Sequence, residues 1–101
     1  MAKLLVLYKT PQDTAAFDKH YAEVHIPLVH KIPNLKKFEV SQSPIMTPMG
    51  PSSYYFIAEL HFADLETLQA SFAGPEGRAA GEDAMTNLGQ MDMLIYQSRE
   101  A

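Results

Sequence analysis

The chain has 101 residues, a formal charge of −4 and no cysteine. That length sets a single domain, and 47% apolar residues suit a packed core rather than disorder. The missing thiols exclude disulfides, thiolate metal sites and a cysteine nucleophile, and basic residues scattered without a stripe exclude a nucleic-acid partner.

The run Leu4 to Tyr8 is too short for the apolar core of a signal peptide, and no stretch approaches the roughly 20 apolar residues of a membrane helix. A soluble cytoplasmic protein with no membrane partner is the expectation. Lys3 to Lys9 is a strand with apolar residues on both faces, Leu4, Val6 and Tyr8 on one and Leu5 and Leu7 on the other. Asp13 or Thr14 then caps a helix with the stripe Phe17, Tyr21, Val24, Leu28. Pro27 lacks an N–H and disfavours helical geometry at Ile26, so the helix should end or kink near His25, with a short second turn stopping at Pro33-Asn34. Leu35 to Gln42 reads as the second strand, and Ser43 to Ser52, rich in proline, as a long loop able to fold over an opening. Ser53 to Phe62 is the third strand, with Tyr54, Phe56, Ala58, Leu60 and Phe62 on one face and Tyr55, Ile57, Glu59 and His61 on the other. Asp64 caps a second helix along Leu65, Leu68 and Phe72, and Gly74-Pro75 breaks it. A further helical piece runs to Leu88-Gly89, and Met91 to Ser98 is the last strand. The order β-α-β-β-α-β over residues 1–101 predicts an α+β, ferredoxin-like domain with a four-stranded antiparallel sheet and helices on one face. Apolar residues on the other face call for a cover, and a second copy packed sheet to sheet is the simplest one.

The run Phe17…Tyr21…His25-Ile26-Pro27-Leu28, then Pro33-Asn34-Leu35 and a strand, resembles the EthD family of the dimeric α+β barrel superfamily. The resemblance implies a homodimer whose sheets close a barrel, with a small cavity in each subunit between sheet and helices. It also implies links with degradation of ethers or aromatics, lactone isomerisation or polyketide-type cyclisation.

His25, on the flank of the first-helix stripe, is the candidate catalytic acid or base, since imidazole titrates near neutral pH. A histidine at a helix end can equally donate to a freed carbonyl. Tyr8, Tyr21, Tyr55 and Tyr96 are candidate hydrogen-bond donors to an oxygenated substrate, and Ala58 leaves room beneath the helix if its face of the strand is the helix-facing one. Glu59 and His61, two apart on one strand, join them as substrate-binding candidates or form a polar pair inside the dimer barrel or at its rim. His20 and His30 lie five residues from His25, which on an α-helix turns them away from it, so no metal is expected. Met46 and Met49 could form a soft lid. Gly74 to Arg78 is an anion-binding candidate or, more simply, a helix breaker. Two functions stand: a cofactor-free acid/base enzyme (isomerase, cyclase or oxidoreductase-like) acting on a small hydrophobic oxygenated ligand, or a non-catalytic accessory dimer supporting an oxygenase. A haem- or quinol-handling barrel is a third option, and no residue singles it out.

Overall fold

The structure, a computed structural model, describes all residues 1–101. In chain order it consists of β1 (Ala2–Lys9), α1 (Thr14–His20), a π-helical turn (Tyr21–His25), α2 (Ile26–His30), β2 (Lys37–Val40), β3 (Met46–Thr47), β4 (Gly50–Pro51), β5 (Tyr54–Phe62), α3 (Leu65–Ala73), α4 (Pro75–Asn87) and β6 (Met91–Gln97). Four strands form one antiparallel sheet in the order β2-β5-β1-β6. This is the ferredoxin-like arrangement that the element order predicts, with the two-residue ladder β3–β4 added inside the Ser43 to Ser52 loop. No helix is long and apolar enough to cross a membrane.

The helix-covered face carries the core. Ala2, Leu4, Val6 and Tyr8 alternate inward from β1 and meet Ala58, Leu60 and Phe62 of β5. Phe17, Tyr21, Val29 and Ile32 from the first helical stretch, and Leu68, Ala80, Ala84 and Leu88 from the second, close over them. Both stretches start on aspartate caps: Ala16 N–H donates to Asp13 Oδ1 at 3.0 Å and Thr67 N–H to Asp64 Oδ1 at 2.7 Å. Each cap contributes about 1 kcal/mol. Gly74, extended, ends α3; Pro75 opens α4, where its missing N–H costs nothing. Gly74 to Arg78 is thus a connector whose geometry serves packing. A Cβ on Gly77 would lie 2.3 Å from the Ser71 carbonyl oxygen, so α4 rests directly on the backbone of α3.

Three expectations are corrected. Pro27 marks an irregularity at Tyr21–His25 but does not end the helical stretch. Ile26 stays in the right-handed helical region (φ −56°, ψ −47°), and the chain instead widens into the π turn just before the proline. The wider turn gives the pyrrolidine ring room against the preceding turn, and Ile26 N–H donates to the Tyr21 carbonyl, five residues back. The extra residue also moves the buried stripe. Val24 is exposed, and the inward positions run Phe17, Tyr21, His25, Val29, so His25 sits in the stripe rather than on its flank.

The second correction is at the start of β5. The register skips one residue there, pairing Tyr8 with Phe56 but Lys9 with Tyr54. This bulge turns Tyr55 to the helix side, where its ring meets Phe17 and its hydroxyl donates to Asp18 at 2.8 Å. Tyr54 is left on the open face, beneath Lys9 and donating to Asp92 at 2.8 Å. Tyr55 therefore does not share a face with Glu59 and His61. The third correction is to β2, which is shorter than the run Leu35 to Gln42 and pairs only over Lys37–Val40.

Candidate functional site

A cavity of about 930 Å³ lies between the sheet and the helices. Its floor is Leu4, Val6, Ala58 and Leu60; Tyr8, Tyr21, His25 and Val29 form one end; α3 and α4 roof it. The mouth runs along β6. This edge strand is poorly covered on the helix side, so Met93 and Ile95 remain 50% and 52% exposed while lining the cavity. Met85, Arg78 and Glu82 of α4 complete the rim.

His25 is 5% exposed. Its Nδ1 lies 2.8 Å from Asp83 Oδ2 on α4. Burial by itself would raise the Asp83 carboxyl, but hydrogen bonds from His20, Asn87 and His25 together outweigh it and hold the group below the usual carboxylate range. Asp83 is therefore an anion that can only accept, so His25 Nδ1 carries the proton and donates. That tautomer leaves Nε2 with a free lone pair, and the ring's one hydrogen bond is the one through Nδ1. Burial pushes the His25 imidazole below its ordinary value of 6.5, with the Asp83 hydrogen bond opposing. At neutral pH His25 is consequently a neutral base in the wall of an apolar cavity.

Two phenols stand beside it. The Tyr21 ring is 5.0 Å from the imidazole and 5.8 Å from the Tyr8 ring, within an aromatic cluster that also holds Phe17 and Phe56. Burial raises both tyrosines far above the ordinary phenol range, and for Tyr21 the neighbouring Tyr8 adds to this, so both stay protonated. The Tyr21 hydroxyl is buried next to the Tyr8 hydroxyl and makes no hydrogen bond of good geometry. An orphaned donor of this kind costs about 1–3 kcal/mol unless something fills the space beside it.

Of the residues predicted from sequence, His25, Tyr8, Tyr21 and Ala58 converge on this cavity. Tyr55, Glu59, His61 and Tyr96 do not line it. Tyr55 is tied to Asp18, while Glu59, His61 and Tyr96 lie on the opposite face of the sheet, where Lys3 pairs with both His61 and Tyr96. His61 Nε2 is 3.6 Å from Glu59 and 3.8 Å from Glu39. The loop from Ser43 to Ser52 contributes no lining residue, so Met46 and Met49 are not a lid; Met85, Met91 and Met93 are the methionines at the cavity.

Two residues escaped the sequence reading. Asp83 carried no local motif, being joined to His25 only by the packing of α4 on the π turn. On a regular α-helix His20 faces away from His25, because five residues advance about 140° beyond a full turn. The π turn brings residues five apart together, and His20 Nε2–H donates to Asp83 Oδ1 at 2.7 Å. The signal was Pro27, whose place inside an otherwise continuous helical pattern calls for a local widening.

Fold and site together define a small ferredoxin-like domain with an apolar cavity and a carboxylate-oriented histidine at its inner end. The EthD domain profile matches residues 9–88, and the chain belongs to the EthD family. It is similar to an EthD family protein of Bacillus halodurans, with 39% identity over 98% of this chain and 99% of that one and a TM-score of 0.91. It is 37% identical over 83 residues, 82% of this chain and 80% of the relative, to an uncharacterized 11.0 kDa protein of Rhodococcus erythropolis from the thcB-thcC intergenic region. SnoaB, a cofactor-independent oxygenase from Streptomyces nogalater, shares the fold at a TM-score of 0.70 and 10% identity, over 99% of this chain and 94% of its own.

Proposed function

We propose that the cavity binds a small, largely apolar molecule carrying a carbonyl or hydroxyl, and that His25 Nε2 removes a proton from it. Asp83 orients the imidazole and stabilises the imidazolium that forms. The Tyr21 hydroxyl donates to the oxygen on which negative charge develops, with Tyr8 next to it. The observation that carries this reading is an imidazole bonded only through Nδ1 and a buried phenol without a well-formed hydrogen bond, side by side in one apolar cavity. The chain's own residues supply every group the proton transfer needs, so the reading calls on no cofactor. The cofactor-independent oxygenase sharing the fold is in keeping with it.

5-Nitrobenzisoxazole tests the base without knowledge of the natural substrate. A base removes its ring C–H proton, the N–O bond breaks, and a coloured phenolate forms with no oxidant or reductant. Tyr21→Phe should lower the rate of this opening about tenfold or more, because the phenolate loses its donor. The same change should leave thermal stability unchanged or raise it by about 1 kcal/mol, since it deletes an unsatisfied buried hydroxyl. A variant that loses stability and keeps its rate would assign Tyr21 to the core alone.

The functional unit in this reading is a homodimer. On the open face Leu5, Leu7 and Ile57 stand half-buried and Leu94 is 54% exposed, an apolar strip that a second sheet would cover. Light scattering at micromolar concentration should give twice the chain mass, and Leu94→Lys should shift the population toward monomer. A clean wild-type monomer would contradict the pairing.

A further inference from the structure

We infer that His20 is a positioning residue for the cavity base, holding the Asp83 carboxylate so that one of its oxygens is committed to His25. This rests on the reading of His25 as that base.

The two oxygens of Asp83 are used differently. Oδ1 accepts from His20 Nε2–H at 2.7 Å and from Asn87 Nδ2–H at 3.0 Å, while Oδ2 accepts from His25 Nδ1–H at 2.8 Å. A carboxylate rotates readily about its terminal torsion, where wells are broad and roughly two-fold. With His25 as its sole partner, Asp83 could turn, and the imidazole with it, releasing the tautomer that leaves Nε2 free. Two donors on Oδ1 fix the carboxylate plane. Asn87 comes from one turn further along α4 itself, so it moves with Asp83. His20 is the last residue of α1, immediately before the π turn that ends in His25, and ties the carboxylate to that helical stretch. The π turn makes this possible by bringing residues five apart onto one side.

His20 does not line the cavity, and its side chain is 28% exposed against 6% for His25 and 8% for Asp83. It therefore acts through Asp83 and not on the ligand. The other titratable groups near this cluster are the protonated phenols of Tyr8 and Tyr21 on the cavity side and Glu82 at the exposed rim. None of them makes a hydrogen bond to Asp83, so none substitutes for His20.

Long-range ¹H–¹⁵N NMR of the full chain reads the tautomer of His25 directly. In His20→Leu the Nε2–H to Nδ1–H ratio of His25 should rise about fivefold or more, the equilibrium weight of one net hydrogen bond. In His20→Gln, whose side-chain amide keeps an N–H donor, the ratio should stay within about twofold of wild type. Opening of 5-nitrobenzisoxazole should slow in kcat with little change in KM in His20→Leu and recover in His20→Gln, because only the orientation of the base is altered. Should His20→Leu lose its dispersed amide spectrum, His20→Ala takes its place. A folded His20→Leu or His20→Ala variant with the wild-type tautomer ratio would overturn the positioning role alone. A wild-type His25 protonated on Nε2 would overturn the reading of His25 as well.

Discussion

His25→Ala should slow the opening of 5-nitrobenzisoxazole by about 10²-fold or more, the low end of what a positioned acid or base contributes. The wild-type rate should fall on acidification with a midpoint below 6.5, because burial lowers the His25 imidazole and only the neutral ring can accept a proton. Above that midpoint the profile should be flat through neutrality. His25→Asn keeps a polar side chain of similar reach but has no basic nitrogen near neutral pH, so it should be as slow as His25→Ala. The circular dichroism of both variants should remain that of the wild type. A rate that survives His25→Ala would place the base elsewhere, and an acid midpoint that persists in the variant would show that another group titrates.

The largest effect on stability is expected at Gly77. An added Cβ would come within 2.3 Å of the Ser71 carbonyl oxygen and 2.5 Å of Phe72 Cα, and both are backbone atoms. Neither can swing aside, so α4 must lift off α3 or tilt. Gly77→Ala should cost about 3 kcal/mol, the upper part of the overpacking range, despite the roughly 1 kcal/mol that alanine gains over glycine inside a helix. Gly81, one turn further along α4, has nothing within 4 Å of its Cβ direction. Gly81→Ala should accordingly stabilise by about 0.5–1 kcal/mol. Urea unfolding measures both: the midpoint should fall for the first variant and rise for the second, with unchanged slope. A Gly77→Ala protein as stable as wild type would mean that the two helices are not in backbone contact. Because Gly77 also lines the cavity roof, the same displacement should widen the cavity.

Much of this architecture is legible in the chain. The alternation of Leu4, Val6 and Tyr8 with Leu5 and Leu7 marks a strand apolar on both sides, one of which the helices cover, and Asp64 ahead of the Leu65, Leu68, Phe72 stripe marks a helix start by a local hydrogen bond. These features depend on neighbours in sequence. The inner end of the cavity does not. Asp83 lies 58 residues from His25, and nothing in its own surroundings marks it as a partner for an imidazole. The tyrosines show a subtler limit. Strict alternation places Tyr55 with Glu59 and His61, and a single skipped residue at the bulge sends it to the opposite face. The presence of a helix irregularity can be read from Pro27, but its form cannot. The proline perturbs the helix as its chemistry requires, yet packing of Tyr21, His25 and Val29 against the sheet keeps the helix continuous, and the strain is relieved by widening. That widening creates the one geometric relation that a 3.6-residue period forbids, the meeting of His20 and His25 on a single carboxylate.

The protonation state of His25 depends on the cavity, the Asp83 carboxylate and the π turn together, and it is open to direct observation. A long-range ¹H–¹⁵N spectrum of the histidine-labelled protein, recorded from pH 8 to pH 4.5, reports both the site of the proton and its affinity. The expected result is a neutral ring protonated on Nδ1 and free at Nε2 at neutral pH, titrating below the ordinary 6.5, with Nε2 responding when an apolar phenol is added. A neutral ring protonated on Nε2, or an imidazole titrating above 6.5, would contradict the assignment of His25 as a base held ready in the cavity wall.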